Sequence, residues 1–206
     1  MRELRRKRVP PATDDKILAS WNGLMIASLA RAGRFLGEPR YLEAAKKSLS
    51  FVKDKLWDAP SKTLYHRWRD DDVDKSQQAE SYLYLMRGAR VLYEATLDES
   101  YLIFAIDLAN KARVIFYDEE NGGFFDGEER KDLVIRLKDD FDSATPTPSS
   151  VGRLEYAILA EITGQTEFRE VAEKSLKAVV PILTESPTAL AESLKAVEFF
   201  VSKPAR

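Results

Sequence analysis

Three segments of this 206-residue chain repeat one pairing, an aromatic residue followed four positions later by an alanine. The pairs are Tyr41 with Ala45, Tyr101 with Ala105 and Phe168 with Ala172, offset by about 60 and 67 residues. Each lies early in the second of two amphipathic stretches, just after a short turn containing Gly or Asp. A large residue beside a small one on the same helical face suits a helix–helix contact. The period exceeds the roughly 34 residues of a tetratricopeptide unit and leaves room for two helices and a returning loop. The chain therefore reads as an all-α domain of three consecutive helical hairpins.

Periodicity places the elements. Ile17, Leu18, Trp21, Leu24, Met25 and Leu29 recur at helical spacing, with Thr13-Asp14-Asp15 ahead of them as an expected N-cap. A second helix carries Leu42, Ala45, Leu49, Val52 and Leu56 on one face, and the stretch around "TLYHRWRDDD" reads as a short β-hairpin. The next unit is expected to be helical from about 77 to 96 and again to about Phe116. Asn121-Gly122-Gly123 then marks a tight turn, with "GGFFD" and "DLVIRLK" as short strands. A third unit and a last helix near 188–202, before Pro204, complete the chain. The organisation is a basic arm, 1–12, and a single domain, 13–206, with repeats at about 13–75, 76–140 and 148–186. Long loops follow the second helix of units one and two, so they gather on one face, where a site belongs.

Composition narrows the chemistry. There is no cysteine and a single histidine, His66, which removes cysteine–zinc sites, disulfides and multi-histidine metal centres. No metal and no cofactor is expected. The net charge of −2 gives no general attraction to nucleic acid or anionic membranes. "RELRRKR", Arg2 to Arg8 ahead of Pro10 and Pro11, is basic but has no interleaved aromatics for base stacking, so it reads as a solvated arm or the remnant of a longer helix. No apolar run approaches the roughly eighteen residues of a spanning helix, and the default expectation is a cytoplasmic protein.

Five clusters carry side chains able to do chemistry. Trp21 and Asn22 lie on the first helix, and Asn22-Gly23 in mid-helix breaks a local rule, which marks either a site or a close contact. In "YHRWRD", alternation puts Tyr65 and Arg67 on one side and His66 and Trp68 on the other. A tryptophan near a histidine and a carboxylate suits a sugar pocket, but spacing alone favours a hairpin whose Trp68 covers the core. Glu80, with Tyr82 and Tyr84, opens the second unit as a candidate acid or base, or as a partner of the helix dipole. "DEENGGFFDGEE" does not have calcium-loop spacing and reads as a solvated turn. Asp139 and Asp142 lie in "KDDFDSATPTPSSVG", a proline-stiffened polar loop with Thr145, ending at a helix start. Carboxylates on two loops of one face would meet the basic demand of glycoside chemistry.

The segments "DDKILASWNGLMIASLARAG", "LYHRWRD", "YLMRGARVLYEATLDESYL", "YDEENGGFFD" and "KDDFDSATPTPSSVG" resemble, in order, the C-terminal region of thioredoxin-domain-containing proteins related to the spermatogenesis-associated thioredoxin-like proteins. In that family a thioredoxin-like domain precedes an α/α toroid similar to N-acylglucosamine 2-epimerases and six-hairpin glycosidases. The resemblance implies about half of an (α/α)6 toroid, short β-hairpins in loops on one face, and a carbohydrate connection. It also implies a fragment or a shortened gene product, since the thioredoxin-like domain and the first hairpins are missing. Two departures stand out: the family's paired acidic residues read Glu80-Ser81 here, and its "YDGATPSGNS" loop reads "FDSATPTPSS". The leading expectation is a non-catalytic scaffold or binding module of carbohydrate-active ancestry. The alternative is a hydrolase or epimerase using Glu80 with Asp139 or Asp142 as acid and base, His66 and Trp68 lining the pocket, and Trp21, Asn22, Tyr65, Arg67, Tyr82 and Thr145 contacting the sugar. Expected partners are a carbohydrate ligand and either a second copy or the missing half-ring.

Overall fold

A computed structural model describes residues 2–9 and 11–202; Pro10 of the basic arm and Pro204 lie outside the described residues. After a short exposed helix α1 (Arg2–Arg6), the hairpins are α2 (Ala19–Leu36) with α3 (Pro39–Leu56), α4 (Ala79–Thr96) with α5 (Glu99–Phe116), and α6 (Pro148–Thr163) with α7 (Thr166–Lys177). Then come α8 (Val180–Glu185), a 3-10 turn (Pro187–Leu190) and α9 (Ala191–Val201). Ala178 and Val179 separate α7 from α8, and Pro181 sits in the first turn of α8, where its missing N–H is tolerated but would interrupt a helix continued from α7.

Helices α2, α4, α6 and α9 form one row, each packed on the next, and α3, α5 and α7 back onto their own hairpin partners. The repeated alanines account for this. Ala45, Ala105 and Ala172 are all completely buried at the helix–helix contacts. The tightest crossing is between α2 and α4, where a Cβ on Gly23 would lie 2.4 Å from the Tyr84 carbonyl carbon and one on Gly88 would lie 2.8 Å from the Gly23 oxygen. Gly23 is there for the close approach of two backbones. That resolves the mid-helix Asn22-Gly23 irregularity.

The β-structure is confined to the connections. Strands β1 (Ile17–Leu18), β4 (Arg67–Arg69) and β5 (Asp72–Asp74) form one antiparallel sheet, with Ile17 opposite Trp68 and Leu18 opposite Arg67. Strands β2 (Trp57–Asp58) and β3 (Thr63–Leu64) form a second. This sheet displaces the expected N-cap. Because β1 pairs with β4 and the Ala19 N–H donates to the His66 carbonyl at 3.0 Å, the chain enters α2 only after Leu18. Asp15 instead pairs with Arg69 at 2.8 Å. Of the two strands expected in "GGFFD" and "DLVIRLK", the first reduces to an isolated bridge of Phe124 with Tyr117 and the second forms neither strand nor bridge; Gly127, just beyond the first, bridges Gln78. There the backbone bonds go mostly to the end of α5 and the start of α4, and a single one, from the Asp126 N–H to the Leu137 carbonyl, joins the two segments.

Polar residues also enter the core. Glu155 on α6 is fully buried against Arg87 and Arg90 of α4; its Oε1 accepts from Arg87 Nε at 2.8 Å and from Arg90 Nη2 at 3.1 Å. Burial opposes ionisation of Glu155, but the two guanidiniums outweigh it and hold the carboxyl down at about 2. Arg87 reaches on to Glu192 of α9 at 2.6 Å, so one ionic chain links three helices of the inner row.

Candidate functional site

The loops after α3 and α5 meet at the starts of α4 and α6 and enclose a cavity of about 150 Å³. Glu80 and Tyr84 enter it from the first turns of α4, preceded by Gln78. Asp126 comes from the connection after α5; Asp139, Ser143 and Thr145 come from the loop before α6.

Local rules explain why this loop is fixed. Thr147 caps α6 by accepting the Ser150 N–H at 3.0 Å, and Pro148 follows in the first turn, where its missing N–H costs nothing. Ser149 Oγ accepts the Phe124 N–H at 2.9 Å, which ties the two loops together. The Tyr84 hydroxyl donates to the Pro146 carbonyl, and burial pushes its pKa well above the usual phenol value.

Asp126 is the residue that the sequence reading missed. Its N–H donates to the Leu137 carbonyl and its own carbonyl accepts the Ala79 N–H, both at 2.9 Å. Its Oδ1 accepts the Asp139 N–H at 3.2 Å. Burial raises its pKa, and the nearby Asp139, Asp140 and Glu80 add to the rise against the opposing Asp139 N–H. A signal was present. Phe124 is fully buried, and in an extended segment the residue two positions on points the same way.

The other candidates have different places. Asp142, expected beside Asp139, does not line the cavity; its Oδ1 accepts the Thr147 N–H at 2.7 Å and its Oδ2 the Glu192 N–H at 2.9 Å. Both oxygens are occupied in tying the loop to α6 and α9. Trp68 packs edge-on against Phe51 of α3, with ring centroids 5.4 Å apart, so it covers the core. His66 is not a cavity residue; its Nδ1 is 3.5 Å from Ser81 Oγ, and Ser81 is completely buried. Tyr82 is also core, donating to Gln77 Oε1 at 2.8 Å and accepting the Leu64 N–H at 2.7 Å. Asn22 bridges the Leu18 carbonyl and Ser48 Oγ, at 2.8 and 2.9 Å. Trp21 is 63 % exposed on the outer side of α2. Arg67 pairs with Asp72 at 3.1 Å, and Tyr65 is half-buried beneath Lys75. The structure thus brings Glu80, Asp139 and Thr145 together, adds Asp126, and leaves the other eight outside.

Among the described residues, no three His, Asp or Glu side chains are disposed to hold a metal ion, and no helix is long and apolar enough to cross a membrane.

No protein-family model matches the chain. Spermatogenesis-associated protein 20 of Rattus norvegicus is 32 % identical over 203 residues, which covers 93 % of this chain. The Homo sapiens protein of the same name is 31 % identical over 205 residues, 95 % of this chain, and both are homologues of it. The chain spans about a quarter of the length of these relatives, 26 % for the rat protein. In three dimensions it matches the GH76 α-mannanase of Bacteroides thetaiotaomicron with a TM-score of 0.71 at 16 % identity, covering 94 % of this chain and 53 % of that one. It matches cellobiose 2-epimerase of Spirochaeta thermophila equally well, with a TM-score of 0.71 at 15 % identity, covering 93 % and 55 %. At such identities the likeness is one of fold. The chain has the α/α-toroid fold and corresponds to about half of each ring enzyme.

Proposed function

We propose that this chain is a carbohydrate-binding half-ring, with its sugar subsite in the cavity at the starts of α4 and α6, and that it is not catalytic by itself. One observation carries the reading: Glu80, Asp126 and Asp139 converge on a single cavity with the hydroxyls of Ser143 and Thr145. Carboxylates accept hydrogen bonds from sugar hydroxyls, and side-chain hydroxyls both donate and accept. The structural neighbours named as a mannanase and a cellobiose epimerase support a saccharide as the ligand class.

Glycoside hydrolysis in most families uses a pair of carboxyl groups that flank the scissile bond. Beside Glu80 the second position of the acidic pair that the resemblance implies is the buried Ser81, so that pair is incomplete here. The raised pKa of Asp126 favours the second reading, an enzyme, because a general acid must hold its proton near working pH.

Thermal-shift and calorimetric titration with mannobiose and cellobiose tests both. A ligand that binds the native state raises the melting temperature by mass action. Saturable binding that Glu80→Gln weakens, with no product formed over days, is the expected result. If a panel of neutral saccharides leaves the melting temperature unmoved at millimolar concentration, the binding reading fails. Release of product that disappears in Asp126→Asn would favour the enzyme instead.

A further inference from the structure

Asp126 lines two cavities. One is the polar cavity at the starts of α4 and α6; the other, about 190 Å³, is walled by Gly127, Leu133, Arg136, Ile135 and Leu137. Leu133, Ile135 and Leu137 are 46 %, 70 % and 67 % exposed, an apolar cluster whose cavity shares Asp126 with the polar one.

The segment that presents these side chains is anchored from beneath. The Arg136 guanidinium lies over the Phe125 ring, 4.1 Å from its centroid, and its Nη2 donates to the Ile115 and Gly127 carbonyls at 2.8 and 2.9 Å. Lys138 Nζ donates to Asp118 Oδ2 at 2.6 Å and to the Gly122 carbonyl at 3.1 Å. One short stretch then serves both cavities: Leu137 walls the apolar one, and Asp139, two residues on, walls the polar one. Asp126 joins this stretch through its N–H to Leu137 and through its Oδ1 to the Asp139 N–H.

We propose that the two cavities form one continuous site for a glycoside with an apolar aglycone. The sugar lies against Glu80, Asp126 and Asp139, the aglycone lies against Leu133, Ile135 and Leu137, and the glycosidic oxygen lies at Asp126. The proposal rests on the sugar reading above and names the ligand class. The occupant follows from continuity. A purely polysaccharide ligand would set hydroxyls against three aliphatic side chains, whereas an aryl or short alkyl group buries them, and an apolar cavity of about 150 Å³ is enough for a benzene ring.

The test compares methyl with 4-nitrophenyl α-mannoside, and methyl with 4-nitrophenyl β-glucoside, by calorimetry on the whole chain. In at least one pair the aryl glycoside should bind roughly tenfold tighter. The double variant Leu133→Ser/Ile135→Ser, altered only at exposed positions, should lose that gap and keep the methyl glycoside affinity. Leu133→Phe should widen the gap, which guards against a variant that has simply unfolded. Equal affinities for the methyl and aryl forms overturn the two-cavity site and leave the sugar reading standing. An aryl preference that survives in Leu133→Ser/Ile135→Ser overturns it as well. If neither methyl glycoside binds and aryl glycosides bind no better than 4-nitrophenol, the sugar reading falls, and this proposal falls with it.

Discussion

Two carboxylates with opposite surroundings contribute pH dependences of opposite sign to this fold. Glu155 is held down at about 2 by Arg90 and Arg87 against the cost of burial, below an ordinary value of about 4.3. A depressed carboxylate contributes stability that is complete above the ordinary value and is lost as pH falls toward the native one. Glu155→Gln should therefore lose about 3 kcal/mol at neutral pH by leaving two buried guanidiniums undercompensated, and its unfolding should show less further loss in acid. Urea melts at pH 7 and pH 3 check this; an unchanged midpoint at pH 7 would show that Glu94 and Glu192 suffice as partners. Asp126 has the opposite sign. Its raised pKa means that the native state binds the proton more readily than the unfolded chain, so stability declines as pH rises through the native value. Asp126→Asn keeps the oxygen that accepts the Asp139 N–H and removes a charge from beside Glu80, Asp139 and Asp140. Its melting temperature at pH 7 should equal or exceed that of the parent, with a flatter acid dependence by calorimetry; a clear drop would contradict the assignment.

Helix crossings and helix ends decide stability at the next scale. Gly23 and Gly88 let α2 and α4 touch backbone to backbone, so Gly23→Ala forces the helices apart and should cost several kcal/mol, toward the upper range of single substitutions, by denaturant melts. The hairpin turns differ in one respect. Gly37 and Gly164 end their helices in the left-handed region, whereas the corresponding residue after α4 is Leu97, at φ 59° and exposed. Leu97→Gly should relieve about 1 kcal/mol of backbone strain and raise the melting temperature; a lower one would mean that Leu97 packs usefully on a neighbour. This level was the most legible from sequence. Apolar periodicity and the aromatic–alanine pairs located the three hairpins, because each signal is local. The site was less legible, because the role of a carboxylate depends on which N–H it meets across the fold. Asp142 is consumed by Thr147 and by Glu192, five and fifty residues away, while Asp126 in an apparently solvated turn is carried inward beside the buried Phe124. Likewise Asn22 was recognisable as irregular, but only the approach of α4 identifies the irregularity as packing.

The row of inner helices has two free edges. On α2, Trp21, Met25, Phe35 and Leu36 are 63 %, 56 %, 79 % and 68 % exposed along one helical face, and on the α9 side Leu194 and Val201 are 40 % and 74 % exposed. Monomers seldom leave so extended an apolar face uncovered. The expected cover is a second copy or the missing half-ring, and for a second copy the symmetry of the pairing is open to experiment. Two half-rings that close one toroid would set α2 of each copy against α9 of the other, giving two equivalent contacts about a twofold axis. A simple α2–α2 dimer would instead use one self-complementary patch. Sedimentation over a range of concentrations should show a dimer that Trp21→Glu/Phe35→Glu returns to monomer. Leu194→Glu separates the geometries, because it breaks a closed ring and leaves an α2–α2 pair intact. If Leu194→Glu weakens the dimer as much as the α2 variant does, the copies complete each other's ring. If the parent sediments as a monomer at millimolar concentration, the edges are tolerated in water and the second copy is ruled out as their cover.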